Sequence, residues 1–285
     1  MAVARTVGRG VGLPLARILV VAVFVLISVF PFIWATITVF KADADLYNPV
    51  HNPFLFNLPP TFAHILDLFQ QTQYLTFVEN SAIVGAVVVG LTLLGSVPAA
   101  YALARLTGRW GEKIGFAIFV VYLVPTTLLF LPLSKVVAGL GLEDSIWSLV
   151  LVYPTFTLPF SIWLLFGFFK SIPRDIEEQA MVDGYSRMGA IVRAVLPLAV
   201  PGILTVVVFA FTLTMNDFIY ALAFISNSSQ FTISVGVPTA LIRGDVYFWQ
   251  SLMAATIFVA IPIALIYNLF MDRFVHGIAL GAVKG

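Results

Sequence analysis

Residues 173–197 read "PRDIEEQAMVDGYSRMGAIVRAVLP", a charged stretch in a chain of which only 10% is Asp, Glu, Lys or Arg. No catalytic constellation is set up here, and the spacing suits docking instead. Pro173 fits a first helical position, and Asp175, Glu177 and Glu178 fall in the first turns, where the positive end of the helix dipole favours carboxylates. Gly184 can take the left-handed conformation that ends a helix, and Ser186 can cap a second one running through Ile191 and Val195 to Pro197. The pattern predicts helix, bend, helix, amphipathic and too short to cross a bilayer. Such an element either lies on the membrane surface or seats in a partner's groove. In the second case Glu178 and Asp183 present charge and Ala180 and Met181 fill the groove.

A second set of residues is polar inside otherwise apolar runs. Ionisable groups at membrane depth are costly and tend to face a bundle interior or an aqueous path. Asn216 and Asp217 fit that description best, with Glu79 and Asn80 behind them, although the outer end of a span is also a place where water satisfies such groups. Tyr122, Thr126 and Thr127 beside Pro125, and Tyr153, Thr155 and Thr157 beside Pro154 and Pro159, are candidate cavity-lining positions. Proline frees backbone carbonyls that then need a polar surrounding.

Other chemistry is missing from the sequence. There is no G-x-x-x-x-G-K-[ST], and "GRGVG" at Gly8–Gly12 lacks the spacing and the strand-turn-helix context of a nucleotide site. His51, His64 and His276 are scattered, which argues against a three-histidine metal site. Zero cysteines remove disulfides and thiolate chemistry.

The elements that must position these residues are set by composition. At 60% hydrophobic residues over 285, the chain belongs in a bilayer, where a helix needs roughly 20 apolar residues to cross. Six runs meet that length: Ile18 to Phe40, Ser81 to Ala104, Ile114 to Ser134, Ile146 to Phe169, Leu196 to Leu222 and Val246 to Met271. Of the 15 Lys and Arg, only Lys41, Lys135 and Arg243 fall on one side of those runs, so the positive-inside rule puts both termini in the cytoplasm. The expected division is a cytoplasmic segment 1–17, a six-helix domain 18–271 and a cytoplasmic tail 272–285. The loop from Lys41 to Asn80, with "NPVHNPFLFNLPP", reads as extended and turn-broken and is expected to cap an external face. In Ala223 to Asp245, "SNSSQ" and "FTISVGVP" read as a polar turn and a semi-extended piece. Gly85, Gly90, Gly95 and the small residues near them would let neighbouring helices approach closely.

"EEQAMVDGYSRMGAIVRAVLP" resembles the EAA loop of ABC-importer permeases, in which Glu-Ala-Ala precedes Asp-Gly and, starting ten residues after the glycine, Ile-x-Leu-Pro. Glu178, Ala180, Asp183, Gly184, Leu196 and Pro197 match, while Gln179 and Ala194 depart from the pattern. Nearly the whole chain is similar to the carbohydrate branch of that family, the maltose-type permease subunits: "ENSAIVG", "LPFSIWLLFGFFKSIP" and the tail "FVHGIALGAVKG" carry the likeness. "MNDF" at 215–218 departs where relatives usually carry Trp before the Asn.

The resemblance implies an all-α polytopic membrane protein of six transmembrane helices with a cytoplasmic coupling helix, the fold of type I ABC-importer permeases. It implies a permease that moves a sugar or related polyol or glycoside across a bacterial or archaeal cytoplasmic membrane by alternating access. The partners so implied are a second homologous permease, two ATP-binding cassette subunits that bind ATP and Mg, an extracytoplasmic substrate-binding protein and lipid, with no nucleic acid and no cofactor on this chain. A neutral sugar would be held by aromatic stacking and by amide and hydroxyl hydrogen bonds. The rival class, an ion-gradient-driven secondary transporter, ordinarily needs several buried ionisable residues along its path, and Asp217 is the only charged residue inside the six runs.

Overall fold

The computed structural model describes residues 12–282. Arg5, Arg9 and Lys284, which enter the charge bias, lie outside the described residues, as do most of "GRGVG" and the end of the "GAVKG" tail. The first helix, α1 (Gly12–Phe40), is followed by two short helices, α2 (Asp43–Leu46) and α3 (Ala63–Gln71), and by the long α4 (Tyr74–Arg105). Because α4 starts seven residues before Ser81, Glu79 and Asn80 are helical and not part of the loop.

The third crossing is not one helix. It divides into α5 (Trp110–Tyr122) and α6 (Thr126–Gly139), bent by 87° at the break. Pro125 has no N–H and disfavours helical geometry at Val124, and the span expected from Ile114 to Ser134 breaks there, whereas Pro98 and Pro201 lie inside continuous helices. The fourth crossing runs as α7 (Ile146–Val152) and α8 (Pro154–Ser171), joined at Tyr153, with Pro154 at a first-turn position where a missing N–H costs nothing.

Two further expectations are corrected. The fifth crossing, α11 (Leu196–Asn216), stops short of the expected Leu222, because Asp217 is extended (φ −70°, ψ 125°) before the short α12 (Ile219–Phe224). "FTISVGVP" is largely helical, forming the start of α13 (Ile233–Leu241), which leads into a two-stranded hairpin, β1 (Ile242–Arg243) and β2 (Val246–Tyr247). Helix α14 (Trp249–Ala282) completes the chain. Counting the bent pair once, up to six elements among the described residues are long and apolar enough to cross a membrane. The described chain is an all-α polytopic membrane bundle.

Helices α4, α8 and α11 pack together at the centre, and α1 lies against α14 on a flank. Phe24, Leu26 and Ile27 of α1 are exposed, as expected of a helix facing lipid. Glycines permit the central contacts: a Cβ on Gly95 would come within 2.8 Å of Leu158, and one on Gly202 within 2.6 Å of the Phe168 ring. The Thr92 and Thr157 hydroxyls meet at 2.6 Å across the buried α4–α8 contact, satisfying both groups away from water. On one end, Lys41 is buried and donates to Asp45 (3.2 Å) and to the Leu55 carbonyl (2.5 Å), folding the segment after α1 back on itself.

Candidate functional site: the coupling segment and the polar groove

Helix α9 (Arg174–Val182) follows Pro173 and carries Asp175 and Glu177 in its first turn. It ends at Gly184, whose φ of +92° is in the left-handed region; the Gly184 and Tyr185 N–H groups donate back to Met181 and Ala180 carbonyls, both at 3.1 Å. Ser186 then accepts from the Gly189 N–H at 3.2 Å and starts α10 (Arg187–Ala190). The second helix is not a separate piece. After a π turn over Ile191–Val195 it continues directly into α11 (Leu196–Asn216), so the segment is rigidly joined to the fifth crossing.

The inner face of α9 is held by charge. Glu177 is buried, accepts a hydrogen bond from the Tyr101 hydroxyl at 2.5 Å, and lies 3.5 Å from Arg105 Nε. Arg105 Nη2 also donates to the Ile172 carbonyl at 2.7 Å, so the end of α4 grips the entry to α9. Ala180 is buried in this chain's own core, because it shares the inner face with Glu177 three residues earlier. It therefore cannot fill a partner's groove as expected. Met181 is half-buried, Glu178 and Asp183 are exposed, and Val182, Tyr185 and Met188 add exposed apolar surface that the sequence pattern had not singled out.

The candidate path residues separate into two kinds. Asn216 is exposed and lines a groove of about 370 Å³ with Met215, Ser234, Pro238 and Thr256 between α11, α13 and α14. Asp217 turns away from that groove's lining: it accepts from the Tyr153 hydroxyl at 2.7 Å and the Ala221 N–H at 3.2 Å, and its carbonyl accepts from Ser234 at 2.6 Å. Tyr153 is fully buried, and Asn80, also buried, donates to the Ser229 and Phe231 carbonyls at 3.0 and 2.9 Å, pinning the loop between α12 and α13. Tyr122 is exposed among Phe119, Phe160 and Phe209, and the exposed Thr126 offers its carbonyl to Tyr220 at 2.5 Å. No cluster of three or more His, Asp or Glu is arranged for a metal among the described residues.

Tyr101 and Arg105 escaped sequence reasoning because their partner is 76 and 72 residues away. Their i, i+4 spacing at the end of a span puts both on one helix face, which is the only local sign of a shared partner.

Up to six apolar crossings among the described residues, with a helix and bend bonded to the end of α4 and continuous with α11, define a polytopic membrane protein. Residues 92–279 match the binding-protein-dependent transport system inner membrane component family, and the chain belongs to it. It is 36% identical to the sulfoquinovosyl glycerol transport system permease protein SmoH of Agrobacterium fabrum, over 96% of this chain and 95% of that one. It is 32% identical to the diacetylchitobiose uptake system permease protein DasC of Streptomyces coelicolor, over 90% and 92%. It is 29% identical to the trehalose/maltose transport system permease protein MalG of Thermococcus litoralis, over 95% and 98%. The fold superimposes on a bacterial ABC transporter involved in import of the acidic polysaccharide alginate, with TM-score 0.78 and 19% identity, covering 96% of this chain and all of that one.

Proposed function

We propose that this chain is one permease half of an ATP-driven importer for a sugar, polyol or glycoside, working by alternating access in the cytoplasmic membrane with both termini inside. A second homologous permease, two ATPase subunits carrying ATP and Mg, and an extracytoplasmic substrate-binding protein complete the assembly. The observation that carries this reading is the bonding of α9. A helix with exposed Glu178 and Asp183 on one side, and tied through Glu177 to Tyr101 and Arg105 on the other, transmits a push from a soluble ATPase into the bundle. The glycoside and oligosaccharide names of its relatives support the substrate class. Glu178, Met181, Asp183 and Gly184, together with Val182 and Met188, form the docking face, and Asn216 contacts solute in the groove. Ala180 contributes from inside by seating α9.

Uptake of labelled trehalose, diacetylchitobiose and a glyceryl glycoside into vesicles holding the assembled complex tests this. ATP inside and binding protein outside are expected to drive accumulation that persists when ionophores collapse ion gradients. Uptake abolished by ionophores with ATP present indicates the secondary-transport alternative. A periplasm-dependent reporter enzyme fused after Gly285 is expected to stay silent; activity there reverses the orientation.

A further inference from the structure

A cleft of about 610 Å³ opens beside the docking helix, between the ends of α4, α5 and α8. Arg105, Arg109, Lys170 and Arg174 line it against a single carboxylate, Glu112. Two of these cations are already engaged: Lys170 pairs with Glu112, and Arg105 with Glu177 and the Ile172 carbonyl. Arg109 and Arg174 have no carboxylate within 4.0 Å among the described residues. Two guanidiniums facing one cleft, without a counter-charge, call for an anion that can accept several N–H bonds, which is the chemistry of a phosphate.

The surroundings favour a phosphate carried on an amphiphile. Trp110 is exposed, with Arg109 and Lys113 at 5.9 and 5.2 Å from its ring, an arrangement suited to the headgroup level of a bilayer. Phe166 lines the cleft, and from it an aromatic run passes through Trp163 (5.9 Å) to Phe116 (6.3 Å), which is exposed on the outer face of α5. Cations at one end and, beyond the buried Phe166, the half-buried Trp163 and the exposed Phe116 at the other match an anionic headgroup and its acyl chain.

We propose that this cleft binds an anionic phospholipid, its phosphodiester held between Arg109 and Arg174. Because Arg174 is the first residue of α9, the lipid bridges the loop after α4 to the start of the docking helix. Only the choice of leaflet rests on the proposed function; binding itself is independent of orientation and of transport.

The test is native mass spectrometry of the assembled complex released from nanodiscs of mixed phosphatidylglycerol and phosphatidylcholine. Preferential retention of phosphatidylglycerol is expected, and Arg109→Gln with Arg174→Gln is expected to weaken it about 25-fold, from roughly fivefold per cation lost near a membrane surface. Arg109→Lys with Arg174→Lys keeps the charge and is expected to keep most of the preference. Equal retention of the two lipids by the wild type overturns the proposal, and that result does not depend on any variant folding. Displacement of the lipid by millimolar inorganic phosphate would reassign the cleft to a soluble anion. Loss of the lipid whenever the ATPase subunits are bound would reassign it to a protein carboxylate, and either outcome also overturns the proposal.

Discussion

The Tyr101 hydroxyl donates to Glu177 at 2.5 Å, joining the membrane-crossing α4 to α9, 76 residues later. Both side chains are buried, and the nearest cation is Arg105, 3.5 Å from the same carboxylate. A bond of this kind makes the orientation of α9 a property of the bundle.

Tyr101→Phe leaves Glu177 short of a donor in a buried site, a loss of about 1–3 kcal/mol. The expected result is a lower unfolding temperature of the assembled complex together with more ATP hydrolysed per solute moved. A purely structural role would lower stability while leaving that ratio unchanged, so the ratio is the deciding measurement.

At Gly184 a Cβ would meet nothing within 4 Å, so substitution acts through the backbone alone. With φ at +92°, a β-branched residue is expected to cost on the order of 1–2 kcal/mol, and Asn, which tolerates the left-handed region, less. Gly184→Val should insert in the membrane normally yet lose ATPase subunits on purification or hydrolyse ATP without uptake. Full co-purification and coupled transport in that variant would remove the coupling role from this bend.

Asn216 and Asp217 are adjacent but are expected to fail differently. Asn216→Ala removes a groove-lining amide and should reduce uptake while assembly and basal ATPase activity stay intact. Tyr153→Phe deprives Asp217 of its side-chain donor and should destabilise the bundle around the end of α11 by about 1–3 kcal/mol, seen as earlier thermal unfolding. Wild-type uptake by Asn216→Ala would take that side chain out of the solute path.

Burial pushes the Asp45 carboxyl up, but hydrogen bonds from Asn57, Lys41 and His51 outweigh it and hold the group well below the usual carboxylate range. A depressed folded-state value means the stabilisation is present above the unfolded value of about 3.9 and is lost as pH falls through the folded one. Hydrogen exchange over residues 41–57 should therefore stay slow from neutral pH to about pH 5 and quicken only in stronger acid. Asp45→Asn, which leaves the buried Lys41 without its counter-charge, should expose this segment already at neutral pH, and unchanged exchange there would refute the account.

The Gly202 position tests packing. A Cβ there would come within 2.6 Å of Phe168, whereas one on Gly90 meets nothing within 4 Å. Gly202→Ala is expected to destabilise by about 1–3 kcal/mol through overpacking. Gly90→Ala should be neutral or slightly stabilising, since Ala is the better helix former. Thermal unfolding of the two variants side by side reads the difference.

What the sequence determined alone was whatever depends on length and local spacing. Apolar runs long enough to cross a bilayer, the helix start at Pro173, the left-handed stop at Gly184 and the cap at Ser186 are each decided within a few residues, because backbone geometry and solvation act locally. The direction of a side chain is a different matter. Glu177 and Glu178 are neighbours of the same type, yet one is buried against Tyr101 and the other faces solvent, and only the packing of α9 on α4 makes that choice. The turn of Asp217 toward Tyr153 and the burial of Ala180 were decided the same way. Each depends on contacts between residues far apart in the chain, and the free energy of such a contact exists only once the helices have met.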